Sequence, residues 1–324
     1  MREKVILIVN PASGTVSKHR IVPEVMRYLQ RIGLDVDVRH TEGPRHATEI
    51  AAAAAADGSY AGVLACGGDG TVNETACGLI GTDTPLGIVP CGSGNGLARH
   101  LGIPVDVRRS LKVIAERNII SADYGSANGS PFFCTFGVGF DAAVSERFAR
   151  SRRRGLMSYL RSAIDEYVRF SPENYVLEVN GKTISDRAFL VVVCNASQYG
   201  NNAFIAPDAS ITDGELDITV VHAGNLFQQA LVGIDMLMGF VGKNAIVETF
   251  RATNLRITRT SHGAAHIDGD PARMPSVIDV RCHPAKLRLF AATKETRFRP
   301  IITPMSLYIR DFFLNAGHLI GIGS

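Results

Sequence analysis

The sequence predicts an α/β domain on a parallel sheet, followed by a β-rich second domain. Three observations carry that reading. Up to about residue 125, strand-length apolar runs alternate with glycine-bearing loops and helical patterns; beyond it short strand patterns dominate. Strand–loop–helix repeats build a parallel sheet covered on both faces, whereas runs of strands with few helices build an antiparallel sheet or sandwich. At 324 residues the chain is also longer than a single core of about 250–300 residues.

Residues 4–10 read as a buried strand ending in the turn Asn10-Pro11-Ala12-Ser13-Gly14. Val22, Val25, Met26, Leu29 and Ile32 then recur at helical spacing, and Leu34, Val36 and Val38 alternate as a half-buried strand leading to Thr41. An alanine-rich helix over 45–56 follows, then a strand over 61–66, a glycine loop, and a helix through about residue 80. A short strand over 85–90 feeds a third glycine loop over 91–96. In the second half, 132–140 is strand-like and 141–170 helical, with a basic cluster at Arg150, Arg152, Arg153 and Arg154. Segments 175–179 and 188–194 flank Asn180-Gly181, a hairpin signal. Further strands are expected at 216–221, 249–258 and 277–281. Domain limits are set at 1–125, 126–290 and 291–324, the last a tail that docks on the first domain or rests on a membrane.

Composition excludes several classes. A net charge of +3, without interleaved aromatic and basic residues, argues against nucleic acid as a partner. The six cysteines show no CxxC spacing, so a reducing cytoplasm is the simplest compartment. The apolar run at 5–9 is shorter than a signal-peptide core. The best contender for a membrane span, 226–241, carries Gln228, Gln229 and Asp235 and misses the ~18 apolar residues a span needs.

The loop at 66–74, Cys-Gly-Gly-Asp-Gly-Thr-Val-Asn-Glu, leaves a strand and enters a helix. Backbone N–H groups at such a helix start attract phosphate, and glycines let the chain approach it closely. All three glycine loops, with Thr41, fall at the carboxyl ends of strands, where ligands bind in parallel sheets. Asp69 is out of place in an anion site unless it serves a metal ion or a proton transfer. Neither GxxxxGK[ST] nor a GxGxxG after the first strand is present, which argues against a P-loop enzyme and a dehydrogenase.

Asn10-Pro11-x-Ser13-Gly14, GGDGTxNE at 67–74 and PxGSGN at 90–95 together resemble the diacylglycerol kinase catalytic family, which includes bacterial lipid kinases and the sphingosine and ceramide kinases. The resemblance continues through GVGFD at 137–141, APxAxxxDG at 206–214 and Ile267-Asp268-Gly269-Asp270, covering about residues 4–295 in family order. It implies a phosphofructokinase-like first domain, a β-sandwich, an active site in the cleft between them, and a chain that can return to the first domain after the sandwich. The implied chemistry is transfer of the ATP γ-phosphoryl group to a lipid hydroxyl with Mg²⁺, the lipid coming from a membrane surface that the protein touches peripherally. Oligomeric state stays open, a homodimer included.

Carried over residue by residue, the resemblance implies nucleotide contacts at Asn10, Thr41, Gly67, Gly68, Asp69, Gly70, Thr71, Val72, Asn73 and Ser93. Similar bacterial enzymes place a glutamate after Asp-Gly in the last motif; here Asp270 holds that place and is the favoured base, with Asp69 the competitor. Asp123 joins Asp69 in an implied acidic network, with a plain loop carboxylate as the alternative. Where many relatives have an aspartate in the third loop this chain has Gly96, a version closer to the sphingosine and ceramide kinases. A structural Mg²⁺ is implied at Asp213 and the carbonyls of Ser210 and Glu215, although Thr212-Asp213-Gly214 is equally a turn signature. Asp141 either faces the acceptor's polar head or caps the 142–149 helix. His262 and His266 read as solvated. Two other readings are kept: an enzyme similar to NAD kinases, and a nucleotide- or lipid-binding protein with weak catalysis.

Overall fold

The computed structural model describes residues 3–12, 18–151, 156–167 and 169–293. Ser13 and Gly14, the arginines at 152, 153 and 154, and the 297–324 tail lie outside the described residues.

The chain opens with β1 (Glu3–Val9), α1 (Lys18–Arg31), β2 (Leu34–His40), α2 (His46–Asp57), β3 (Tyr60–Gly67), α3 (Asp69–Leu79), β4 (Leu86–Pro90), α4 (Gly96–His100) and α5 (Val107–Glu116). The strands pair in parallel in the order β2-β1-β3-β4. Both faces of β1 are buried, which is why it reads as one continuous apolar run. Val5, Leu7 and Val9 pack with Val25 and Leu29 of α1 and Leu111 and Ile114 of α5. Ile6 and Ile8 pack on the other side with the α2 alanines 47, 51 and 54 and with Ala76 and Leu79 of α3.

Next come β5 (Ile119–Ala127), β6 (Ser130–Phe132), β7 (Thr135–Gly139), α6 (Phe140–Arg150), α7 (Leu156–Tyr167), β8 (Glu173–Val179) and β9 (Lys182–Cys194). They are followed by β10 (Leu216–His222), α8 (Leu226–Met238), β11 (Val247–Ala252), β12 (Asn254–Arg259), β13 (Gly263–Ile267), β14 (Asp270–Met274) and β15 (Val277–Phe290). The pairings here are antiparallel, and the buried core includes Phe132, Phe136, Tyr175, Leu177, Ile257, Ile278 and Val280. A second layer, around Phe189, Leu190 and Val192, lies under Val232 of α8, with Phe140 and Tyr167 packed against it. The β8–β9 hairpin turns through Asn180 and Gly181, both at positive φ, as its sequence signal requires.

Four features differ from the sequence reading. The strand expected over 249–258 is two strands parted at Thr253: β11 pairs with β10, whereas β12 pairs with β8 and β15. The 141–170 helix is the two helices α6 and α7. The β13–β14 hairpin is absent from the sequence reading, because Gly269, Asp270 and Pro271 break the strand pattern. Finally, β15 does not stop near 281. It is irregular between His283 and Leu287, continues beside β5, and sets Leu289 against Leu86 of β4. The return to the first domain thus begins inside the 126–290 segment. The twin strands β5 and β15 join the two halves into one sheet. No helix among the described residues is long and apolar enough to cross a membrane.

Candidate active site

Parallel pairing brings the carboxyl ends of four strands to one edge: Val9 stands beside His40 and Cys66, and Gly67 beside Pro90. The residues that follow stay in line, since Thr41 N–H donates to the Val9 carbonyl at 2.9 Å and Cys91 N–H to the Gly67 carbonyl at 2.8 Å. Asn10, Thr41, residues 67–70 and the exposed Ser93 therefore share that edge. Asn10 also folds its own turn, its Oδ1 accepting the Ala12 N–H at 3.0 Å.

At the centre of the edge α3 begins after Gly68, with no side-chain cap. Val72 donates to the Gly68 carbonyl at 3.1 Å, so the helical ladder starts there. The N–H groups of Gly70 and Thr71 belong to the first turn and have no acceptor within the helix, the arrangement that binds phosphate. The loops approach so closely that a Cβ on Gly92 would lie 2.8 Å from Gly68 Cα. This bare backbone cradle suits the phosphates of a nucleotide. Val72 and Asn73 stand apart from it. Val72 is buried in the core, its N–H spent in the ladder, and Asn73 turns its amide to Asp268 at 2.8 Å. One turn into a helix, side chains have rotated away from the terminus.

Asp69 points sideways. Its Oδ2 accepts the Asn95 N–H at 2.9 Å and its Oδ1 the Gly96 N–H at 2.7 Å, so it clasps the third glycine loop to the second. Burial pushes its carboxyl pKa up, against the two N–H groups, which favour the charged form. A Cβ on Gly94 would sit 2.8 Å from Asp69 Oδ2, which explains the glycine there. Both Asp69 oxygens are thus engaged in the clasp, and the carboxylate that faces the cradle is another one.

That carboxylate belongs to Asp270, exposed at the start of β14. A Cβ on Gly70 would lie 3.4 Å from Asp270 Oδ2, so the carboxylate hangs over the first turn of α3. The hairpin is held by Asp268, to which the sequence reading gives no role. Its carboxylate accepts the successive N–H groups of Phe133 (2.9 Å), Cys134 (2.7 Å) and Thr135 (2.9 Å) as well as the Asn73 amide. Its signal is in the sequence: Asp268-Gly269 is a tight-turn pair, and both residues adopt positive φ.

Asp141 is not the cap of α6, a position taken by Gly139, and it is buried within the first turn. Its Oδ2 accepts the Tyr199 hydroxyl at 2.8 Å and pairs with His266 Nε2 at 2.9 Å. His266 is thus not solvated as expected but 1% exposed, on a β13 side that faces inward; His262, beyond the strand end, is exposed.

Asp123 is likewise a tie. Its oxygens accept Gly214 N–H and Ala285 N–H, each at 2.7 Å, so it anchors the 210–215 loop to β15. In that loop Asp213 Oδ1 accepts Glu215 N–H, while its Oδ2 pairs with Arg251. Arg251 also lies 3.3 Å from Glu215 and 3.7 Å from Asp217, the residue opposite it across the β10–β11 ladder. Ser210 Oγ meets the Thr212 hydroxyl at 3.3 Å. Ser210, Asp213 and Glu215 are therefore together, with the Arg251 guanidinium beside the Asp213 and Glu215 carboxylates. Among the described residues no three His, Cys, Asp or Glu side chains group around a metal position.

A bare glycine-loop cradle on an α/β domain, faced by a carboxylate hairpin from a β-sandwich, is the arrangement that the resemblance to the kinase family implies. Comparison with known proteins agrees. Residues 4–127 match the diacylglycerol kinase catalytic domain, and residues 134–291 match the YegS C-terminal NAD kinase beta sandwich-like domain. A diacylglycerol kinase of Mycobacterium tuberculosis is 33% identical over 230 residues, 68% of this chain and 74% of that protein. One from Bacillus subtilis is 26% identical over 270 residues, 82% of this chain and 88% of that protein. A longer Synechocystis protein is 28% identical over 242 residues, 72% of this chain and 55% of its own length. Among solved structures, a diacylglycerol kinase from Bacillus anthracis superposes with a TM-score of 0.69 at 22% identity, covering 90% of this chain and 97% of that one. An NAD kinase from Archaeoglobus fulgidus gives 0.51 at 11% identity over 95% of this chain and 98% of its own, a likeness of fold alone. The chain belongs to the diacylglycerol kinase family.

Proposed function

We propose that this protein transfers the γ-phosphoryl group of ATP to the hydroxyl of a membrane lipid, with Asp270 as the base. The observation that carries the reading is the Asp270 carboxylate over Gly70, at the N–H cradle that opens α3. Phosphoryl transfer needs mainly positioning and charge stabilisation. Here the Gly70 and Thr71 N–H groups orient phosphate oxygens, Asp69 keeps the two loops clasped, and Asp270 accepts the proton of the attacking hydroxyl. A nucleotide-bound Mg²⁺ would neutralise charge on the phosphates, and Asp270 and Asp69 are the carboxylates at that rim.

The acceptor favoured is diacylglycerol, the lipid in the names of the curated relatives. The third loop, with Gly96, leaves a sphingoid acceptor as the competitor. Peripheral membrane contact is supported by α8, whose one charged residue, Asp235, is buried while Leu226, Phe227, Ile234 and Leu237 are exposed. Such a stripe is suited to a lipid surface.

Incubating the protein with Mg²⁺, γ-labelled ATP and a mixed lipid panel, then resolving the organic phase, tests the proposal. Label in diacylglycerol supports it as stated, and label in a sphingoid lipid moves the acceptor. No label in any lipid, together with demonstrated ATP binding, overturns it.

A further inference from the structure

Two arms of the second domain reach the glycine loops. The first is the 199–202 segment: Asn201 N–H donates to the Gly94 carbonyl at 3.3 Å, and Asn202 Oδ1 accepts from Arg99, which also donates to Gly94 O at 2.9 Å. A Cβ on Gly200 would lie 3.0 Å from the Gly94 backbone, so the two loops are in contact. The second arm is the 268–270 turn over α3, fixed by Asn73 and carrying Asp270.

One buried carboxylate lies between the arms. Asp141 Oδ2 accepts the Tyr199 hydroxyl from the first and the His266 Nε2–H from the strand leading into the second. On its other side, His266 Nδ1 receives the Gly269 N–H at 3.4 Å, tying the ring to the turn that follows. The contact is tightly built. A Cβ on Gly137 would fall 2.3 Å from His266 Nε2 and 2.4 Å from Asp141 Oδ2, so only glycine admits the pair. Asp141 and His266 are 5% and 1% exposed, where the loss of one partner leaves a costly unpaired group.

We infer that Tyr199, Asp141 and His266 form a brace coupling the two arms, so that nucleotide engagement of the Gly94 loop sets the position of the Asp270 turn. All three are positioning residues: each acts through a neighbouring element and none needs to touch the acceptor. The consequence for turnover rests on the lipid-kinase reading. The mechanical coupling does not.

Hydrogen exchange tests it directly. A non-hydrolysable ATP analogue with Mg²⁺ should slow exchange of the peptide covering 263–274 in the unaltered protein. Tyr199→Phe, which keeps the ring and removes one hydroxyl, should lose most of that slowing, and Asp141→Asn should behave alike. In the lipid assay Tyr199→Phe should lower kcat about 10- to 100-fold while the KM for ATP changes by less than about threefold. The inference is overturned if the analogue leaves the 263–274 peptide unchanged in the unaltered protein, or if both variants keep the full protection. If no lipid is phosphorylated but the protection and its loss are seen, the brace stands and the lipid-kinase reading falls. Lipid phosphorylation with full protection in both variants leaves the lipid-kinase reading standing and removes the brace.

Discussion

Asn73 donates its side-chain amide to Asp268 at 2.8 Å, joining the helix that opens on the glycine-loop cradle to the turn that carries Asp270. The partners are 195 positions apart in the chain. Asn73→Ala should leave the fold standing, because Asp268 keeps three backbone donors, at a cost of about 1–3 kcal/mol for the lost charge-assisted bond. Turnover should fall by about tenfold or more as the turn drifts. A variant with unchanged kcat would show that the stitch does not position the turn.

Asp270→Asn removes the basic oxygen while keeping the size of the side chain. Lipid phosphorylation should drop by about 10²- to 10⁴-fold, with ATP affinity by calorimetry nearly unchanged. Near-normal turnover would return the role of base to Asp69.

Asp69→Asn cannot accept both the Asn95 and Gly96 N–H groups, since its amide nitrogen is a donor. The third loop should unclasp: stability falls by roughly 1–3 kcal/mol and ATP binds more weakly. If ATP binding were intact and only turnover lost, Asp69 would be acting in the chemistry and not in the clasp.

His100, at the end of α4, accepts the Ser197 N–H at Nδ1 (3.1 Å), and burial pushes its pKa down to about 4 from 6.5. As pH falls below about 6.5 the unfolded chain takes up this proton first. The stability held above that pH is therefore lost between 6.5 and 4, by at most about 3 kcal/mol. His100→Gln, which does not titrate, should show a flatter fall of Tm over that window. Parallel Tm–pH curves for the two proteins would rule the contact out as the sensor.

Arg251 compensates Asp213, Glu215 and Asp217, and burial pushes the Asp217 pKa up to about 6 even so. The Tm should accordingly be the same in EDTA and in Mg²⁺. Arg251→Gln leaves the carboxylates without their cation, so its Tm should fall in EDTA and recover in part with Mg²⁺. A Tm of the unaltered protein that depends on Mg²⁺ would mean that the loop holds a metal after all.

Legibility follows the range of the interactions. The parallel half can be read because its strands are buried on both faces and its glycine loops punctuate them, both local signals. The length of β15 cannot, since polar His283, Lys286 and Arg288 interrupt its apolar pattern while β5 and β4 supply its partners. Asp123 and Asp141 stand out in the sequence, yet their roles as ties are hidden there, because Gly214, Ala285, Tyr199 and His266 reach them from distant parts of the chain.

By itself the sequence determined the strand–loop–helix order, the glycine loops that have to lie at strand ends, and the presence of an acid after Asp268-Gly269. Tertiary structure alone decided what each carboxylate faces. Asp69, Asp123, Asp141 and Asp268 are chemically alike, and each is taken up by amides, a hydroxyl or an imidazole that folding delivers. Asp270 differs in where its hairpin places it. Its carboxylate lies exposed above the first turn of α3, because the Asn73–Asp268 bond and the β13–β7 pairing hold the turn there.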